Sequence, residues 1–123
     1  MKLHAAAPTT LNTVTAYGPG YVEINRRRYA HSLLVAPEGD IVAWEVDTFD
    51  ALEPAHFEAL LAREPELVLL GTGERQRFPH PALTASLARA RIGLDVMDTQ
   101  AACRTYNILM MEGRRVLAAL LMR

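Results

Sequence analysis

One uninterrupted apolar run constrains the fold of this chain more than any other feature of its sequence. Residues 67–70 read Leu-Val-Leu-Leu, follow Pro65 and end at Gly71. A short apolar run without polar alternation is typical of a strand that is covered on both faces, as parallel strands are. We therefore predict that this segment is the central strand of a sheet and runs parallel to its neighbours.

The segments around this run alternate between helical and strand-like patterns. The spacing of apolar residues predicts three helices, over residues 54–63, 81–91 and about 99–111. Short apolar segments predict two further strands, over residues 92–97 and 116–122. Asp98 or Thr99 can cap the third helix at its start, and Gly113 can take the left-handed conformation that ends it. This order predicts an α/β layer fold with right-handed crossovers.

The first third of the chain is predicted to be rich in β-structure. Its apolar and β-branched segments are separated by turn signals and cover residues 14–17, 21–24, 29–35 and 41–44. A chain of 123 residues, half of them hydrophobic, is the size of one domain. We expect a flexible N-terminus over residues 1–10 and a single three-layer α/β domain with a mixed central sheet over residues 11–123.

Composition limits the partners and the compartment. The formal net charge is -1, and residues 26–28, all arginine, are the one basic run, so we predict no nucleic-acid partner. The longest apolar run, residues 116–122, is too short for a membrane-spanning helix. A single cysteine cannot form an intrachain disulfide, which favours a reducing compartment, and we predict a cytoplasmic protein.

The strongest candidate for a ligand site is the loop Gly71-Thr72-Gly73. Loops at the carboxyl ends of parallel strands form the crevices in which α/β sheets bind ligands. The loop continues Glu-Arg-Gln, so it lacks the third glycine of a dinucleotide fingerprint and the Gly-Lys-Ser/Thr of a phosphate-binding loop. No cofactor is predicted, and a tight turn is the alternative interpretation.

Other reactive residue types give weaker signals. The four histidines, His4, His31, His56 and His80, lack metal-binding spacing, so no metal site is predicted. Cys103 falls in the first turns of the third helix, where the helix dipole can activate a thiol, but a small buried hydrophobe is the alternative. Glu45 and Asp47 could pair as carboxylates at a strand end, or could simply be solvated.

The third helix carries a second set of candidate binding residues. Arg104, Asn107 and Arg114 can bind a carboxylate, a phosphate or a backbone carbonyl, although surface solvation is the alternative for Arg104. Asn107 lies off the apolar stripe formed by Ala102, Tyr106 and Leu109. Its amide is predicted to hold either the Gly71 to Gly73 loop or a partner.

Several short motifs occur together in the order that a known family has them. They are Tyr17-Gly18-x-Gly20, Ser32, Trp44, Gly71-Thr72-Gly73, Met97-Asp98-Thr99-x-x-Ala102-x-x-Thr105-Tyr106-Asn107 and Glu112-Gly113-Arg114-x-Val116. Between about Leu11 and Leu121 the chain resembles the small family of uncharacterised, Mth-type domains that includes assembly factor 3 of mitochondrial respiratory complex I. The arginines at 26–28 depart from that family, in which a glycine-containing turn is common there.

The resemblance implies a three-layer α/β fold and supplies no established catalytic activity. For eukaryotic relatives it implies help in assembling a membrane complex, and for bacterial relatives a link to membrane-protein insertion. Our first hypothesis is a non-catalytic binding or assembly module that holds a protein partner through residues 72–78 and the third helix. The alternative is a small-ligand-binding protein or an enzyme that uses the crevice near Gly71, Thr72, Gly73, Thr99 and Asn107.

Overall fold

The computed structural model describes residues 10–123, so all but the last of the residues predicted as a flexible N-terminus lie outside it. The first three strands form a small antiparallel sheet: β1 (Val14–Gly18), β2 (Tyr21–Ile24) and β3 (Arg27–Tyr29). The remaining strands form a larger sheet: β4 (Leu33–Val35), β5 (Val42–Ala43), β6 (Leu67–Thr72), β7 (Gly93–Met97) and β8 (Val116–Leu121). The helices are α1 (Pro54–Glu58), α2 (Ala85–Arg89) and α3 (Thr99–Met111), with short 3₁₀ turns at Phe49–Ala51 and Ala59–Arg63.

The larger sheet is mixed, as predicted. Its strand order is β5-β4-β8-β6-β7. Strand β6, which contains the continuous apolar run, lies inside the sheet and pairs in parallel with both β7 and β8. Strand β4 pairs antiparallel with β8 and β5.

Each face of this sheet packs against its own layer. On one face, Leu69 and Leu120 pack with Tyr106 of α3 and with Val22 and Ile24 of the small sheet. On the other face, residues of β4, β6 and β8 pack with residues of α1, α2, the 3₁₀ turn at Ala59–Arg63 and the segment 44–52. The buried members of this set are Leu34, Trp44, Val46, Leu52, Phe57, Leu60, Val68, Leu70, Leu87, Leu117, Ala119 and Leu121. Successive residues of a strand point to opposite faces of the sheet. In a three-layer fold both faces are buried, so consecutive residues of a central strand are apolar.

Two of the predicted helices are shorter than the apolar spacing indicates. The helix predicted over 54–63 is α-helical only to Glu58 and then 3₁₀, and Glu64 turns into the left-handed region with a φ of 51°. Glu64 precedes Pro65, and the right-handed helical region is sterically disfavoured for the residue before a proline. Residues 81–84 form turns, and α2 begins only at Ala85. The helix predicted at about 99–111 is confirmed.

Candidate functional site

The N-terminus of α3 lies against the end of β6, and this contact brings four of the predicted site residues together. Asp98 caps the helix, because its carboxylate accepts a hydrogen bond from the Ala101 amide at 2.9 Å. Gly71 permits the close approach, since a Cβ there would lie 3.0 Å from Thr99 Oγ1 and 3.1 Å from Thr99 Cα. Gly71, Thr72, Gly73 and Thr99 are therefore neighbours, and all four are buried.

A chain of hydrogen bonds through Thr99 holds the loop in place. The Gly73 N–H donates to Thr99 Oγ1 at 2.8 Å, and that hydroxyl donates to the Leu121 carbonyl oxygen at 2.5 Å. The Thr99 N–H donates in turn to the Gly73 carbonyl oxygen at 2.9 Å. One side chain thus ties the ends of β6 and β8 to the start of α3.

The Thr72 hydroxyl closes the turn that follows. It donates to the Arg75 carbonyl oxygen at 2.6 Å and accepts from the Arg77 N–H at 3.2 Å. Gly73 has a φ of 94°, and a Cβ on it would overlap the backbone of Arg123. The polar groups of this loop are engaged within the protein, in agreement with the alternative interpretation of a tight turn.

A groove of about 400 Å³ opens beside this turn. Gly73 and Thr99 line it, together with residues 18–21 of the first hairpin, Gln100 and the last two residues of the chain. Gly71 and Thr72 are buried and do not line the groove. In this groove two of the predicted site residues, Gly73 and Thr99, meet open space at the carboxyl ends of the parallel strands.

The other three predicted site residues lie elsewhere. Asn107 does not brace the Gly71 to Gly73 loop, and that prediction is wrong, because both polar atoms of its amide bind the backbone of Val14 in β1. Arg104 donates to the Tyr17 hydroxyl at 3.2 Å. Arg114 follows the far end of α3 and forms an ion pair with Glu66 at 3.0 Å. Asn107 is two helical turns from Thr99, so it does not line the groove beside Gly73.

Cys103 is a small buried hydrophobe, as the alternative interpretation has it. The side chain is fully buried beside Tyr106 in the core between α3 and the sheets. Burial raises the pKa of the thiol from 9.0 to about 12, and the nearby carboxylate of Asp98 adds to the shift. A thiol that stays protonated at neutral pH is a poor nucleophile.

Within residues 10–123, no group of three or more histidine, cysteine or acidic side chains could hold a metal ion. His4 lies outside the described residues. His56 instead binds the backbone, accepting from the Glu53 N–H at Nδ1 and donating from Nε2 to the Glu45 carbonyl oxygen. His80 Nδ1 accepts from the Ala82 N–H.

Sequence reasoning missed a larger groove of about 650 Å³, between the segment that follows β5 and the start of α1. Ser32, Trp44, Glu45 and Asp47 line it. The two carboxylates were the available signal, but they did not reveal that Ser32 lines the same groove. No helix in the described part of the chain is both long and apolar enough to cross a bilayer.

Comparison with known proteins bears out the resemblance. A family described as "Protein of unknown function (DUF498/DUF598)" matches residues 14–121. A solution structure from Bordetella pertussis, described as a Mth938-like domain, superposes with a TM-score of 0.82 at 40% identity and covers 98% of this chain and 92% of that one.

Two curated relatives carry names that bear on function. The "13 kDa major membrane protein" of Francisella tularensis is 31% identical over 81% of this chain and 82% of its own length. The "NADH dehydrogenase [ubiquinone] 1 alpha subcomplex assembly factor 3" of Bos taurus is 32% identical over 83% of this chain. That match covers only 55% of the bovine protein, so the chain spans about half of its length.

Proposed function

Because this chain belongs to the DUF498/DUF598 family of proteins of unknown function, which includes assembly factors, we propose that it is a non-catalytic module that binds a protein partner during assembly. The partner is a subunit of a membrane complex or a component that inserts membrane proteins. The module works from the cytoplasm, the compartment favoured by its single cysteine. Family membership supports an assembly-related role in general, and the partner and the compartment are the further steps of the proposal.

The distribution of exposed apolar side chains carries this proposal. The large hydrophobic side chains that are most exposed in the described residues are Phe78 at 72%, Ile108 at 58% and Met111 at 77%. Phe78 ends the 72–78 loop, and the other two lie three residues apart on α3, hence on one helix face. These are the two segments that the sequence favours for holding a partner, and apolar side chains left in water there are typical of interaction surfaces.

The engagement of the loop is a second support. The hydroxyls of Thr72 and Thr99 donate to backbone carbonyl oxygens, and the Gly73 N–H donates to the Thr99 hydroxyl. Cys103 is buried with its pKa raised to about 12. The groups that could have served as nucleophile or anion cradle are thus used in holding the fold.

The test is recovery of partners from native cells. The tagged full chain is cross-linked in cells, captured from detergent extracts, and compared with the Ile108→Gln/Met111→Gln double variant, with Phe78→Ser and with an exposed control, Ala88→Gln. We expect the wild type and the control to recover the same membrane-complex or insertion component, and the double variant or Phe78→Ser to lose it. Recovery of no such component by the wild type, or equal recovery by all variants, contradicts the proposal.

The second candidate function is a small-ligand-binding protein or enzyme, and the groove of about 400 Å³ at the carboxyl ends of the parallel strands favours it. A ligand bound only by the folded state at a hundredfold over its Kd should stabilise by about 2.7 kcal/mol. A thermal-shift screen of metabolites, repeated with Gln100→Ala in the groove wall, tests this. The absence of any ligand whose stabilisation depends on Gln100 contradicts this candidate.

A further inference from the structure

The larger sheet has an open edge at β7. Its strand order is β5-β4-β8-β6-β7, and β7 pairs with β6 alone. At the opposite end of the sheet β5 has only two residues, whereas β7 has five. In the small sheet, the edge of β1 is already bound by the side chain of Asn107. The edge of the larger sheet that can take another strand is therefore β7.

The backbone of β7 alternates between β6 and this open edge. Successive residues of a strand turn their N–H and C=O groups to opposite sides. The Gly93 N–H donates to the Glu66 carbonyl oxygen at 3.1 Å, so Gly93 and every second residue after it face β6. Leu94 and Val96 therefore turn their N–H and C=O groups outward. Among the described residues, no other strand pairs with that side of β7.

Gln76 shows that the open edge accepts hydrogen bonds, and it joins the edge to the 72–78 loop. Its Nε2 donates to the Val96 carbonyl oxygen at 2.8 Å, as the N–H of an added strand would. The Leu94 N–H, the Leu94 carbonyl oxygen and the Val96 N–H are left for a further strand. Phe78, which is 72% exposed, follows Gln76 by two residues. The edge is thus continuous with the surface that we assign to a protein partner.

Asp95 lies in the middle of β7 and restricts what can pair there. It is exposed, and no ion pair of its carboxylate is present in residues 10–123. A second copy of this chain that paired antiparallel about Asp95 would place two carboxylates opposite each other, which is destabilising. A lysine or arginine at that position of the added strand forms a favourable cross-strand pair instead. The charge therefore favours a different protein with a cationic residue in its strand.

We propose that β7 binds an extended segment of the protein partner as a sixth strand of the larger sheet, with a lysine or arginine of that segment opposite Asp95. Leu94 and Val96 pack against the core on the other face of the sheet, so the residues that flank the cation should be apolar. Backbone hydrogen bonds supply affinity, and the charge pair selects the partner. The inference rests on the proposed function, because it states how the partner docks.

The first test uses the free protein and depends on no partner. Amide hydrogen exchange is followed by NMR on the dilute full chain. The Leu94 and Val96 amides should exchange at least about tenfold faster than the Asp95 and Met97 amides, which face β6. Equal protection of all four amides would show that the edge is closed. That result overturns the inference and leaves the proposed function standing.

The second test uses the complex captured from cells by cross-linking. The wild type is compared with Asp95→Asn, with Asp95→Lys and with Glu58→Lys, a control at an exposed acid of α1. The recovered component should fall roughly threefold with Asp95→Asn and roughly tenfold with Asp95→Lys, because the second change adds repulsion to the lost attraction. Glu58→Lys should change recovery by no more than about twofold. Thermal midpoints near that of the wild type confirm that all three variants fold.

Hydrogen exchange of the purified complex separates an added strand from a charge contact near β7. The Leu94 and Val96 amides should become at least about tenfold slower than in the free protein, because the added strand bonds them. If both amides stay fast, or if Asp95→Lys recovers as much of the component as the wild type, the inference is overturned. The proposed function still stands in that case, provided that Phe78→Ser loses the component. Recovery of no component by the wild type contradicts the proposed function, and the inference falls with it.

Discussion

Asn107 of α3 and Val14 of β1 are joined by two hydrogen bonds, although they are 93 residues apart in the chain. The Val14 N–H donates to Asn107 Oδ1 at 2.9 Å, and Asn107 Nδ2 donates to the Val14 carbonyl oxygen at 2.8 Å. The side-chain amide thereby pairs with the edge of β1 as a neighbouring strand would. This relationship fastens the small sheet to the helix that packs on the central sheet.

Asn107→Ala should lower the free energy of unfolding by about 1 to 3 kcal/mol, because the Val14 N–H and carbonyl oxygen both lose their partner. Asn107→Asp keeps the acceptor and loses the donor, so its effect should be intermediate. Urea denaturation of both variants is the measurement. The exposed Met111 on the same helix serves as a control, and Met111→Ala should change stability by no more than about 0.5 kcal/mol.

The sequence predicted the task of Asn107 but not its partner. An asparagine off the apolar stripe of a helix is expected to satisfy a backbone group, and it does. Which backbone group depends on how β1 packs across α3, a contact between the two ends of the chain that no local pattern encodes. The prediction placed Asn107 near Gly71 because the end of a strand and the start of the next helix meet in α/β folds. That argument holds for Thr99, which begins α3, but not for Asn107, which lies two turns further along the helix.

Gly113→Val should destabilise the protein by more than about 1 kcal/mol. Gly113 has a φ of 81° and ends α3 with two hydrogen bonds, from the Gly113 N–H to the Met110 carbonyl oxygen and from the Arg114 N–H to that of Leu109. Open space surrounds the position of its Cβ, so the cost is conformational and not a clash. Gly113→Asn should cost less, since asparagine tolerates the left-handed region. Equal denaturation midpoints for the valine variant and the wild type would contradict this reasoning.

The apolar patterns predicted the layers of the fold well. Such patterns reflect which side chains are buried, and the packing of the layers determines which side chains are buried. Leu67 to Leu70 indicated a strand covered on both faces, and the spacing before Gly113 placed α3 to within a residue. The same patterns failed at residues 59–63 and 81–84, where the apolar spacing continues although the backbone is 3₁₀-helical or forms turns. The groove of about 650 Å³ was not predicted, since Ser32 and Glu45 line one surface only when β4 and β5 pair.

Cys103 should resist thiol reagents in the folded protein and react once the protein unfolds. Its side chain is fully buried, and burial raises the pKa of the thiol to about 12, so little thiolate forms at neutral pH. The measurement is the rate of reaction with a disulfide reagent at mildly alkaline pH, with and without urea. A rate in native buffer close to that in urea would show that the core around α3 opens readily.

The same thiol predicts a loss of stability at high pH. The folded state holds the Cys103 proton more tightly than the unfolded state, so stability falls as the pH rises above 9.0 and continues to fall until it approaches 12. Across that window the slope from one such group is at most about 1.4 kcal/mol per pH unit. Tyr106, whose pKa is also raised by burial, contributes in the same direction. Cys103→Ala should therefore show a shallower decline than the wild type in denaturation series at increasing pH, and parallel curves would contradict the shift.

Thr99→Val should destabilise the protein by about 1 to 3 kcal/mol, although valine has nearly the same shape as threonine. The substitution replaces the Thr99 hydroxyl by a methyl group. It thereby removes the hydrogen bond from the Gly73 N–H and the one to the Leu121 carbonyl oxygen. All three residues are buried, so water replaces the lost bonds poorly. Thr99→Ser keeps the hydroxyl and should retain most of the stability, and Thr105→Val on the same helix controls for the general effect of valine there. If Thr99→Val were as stable as Thr99→Ser in urea denaturation, the hydroxyl would not hold the loop, and the groove beside Gly73 would owe its shape to packing against α3 alone.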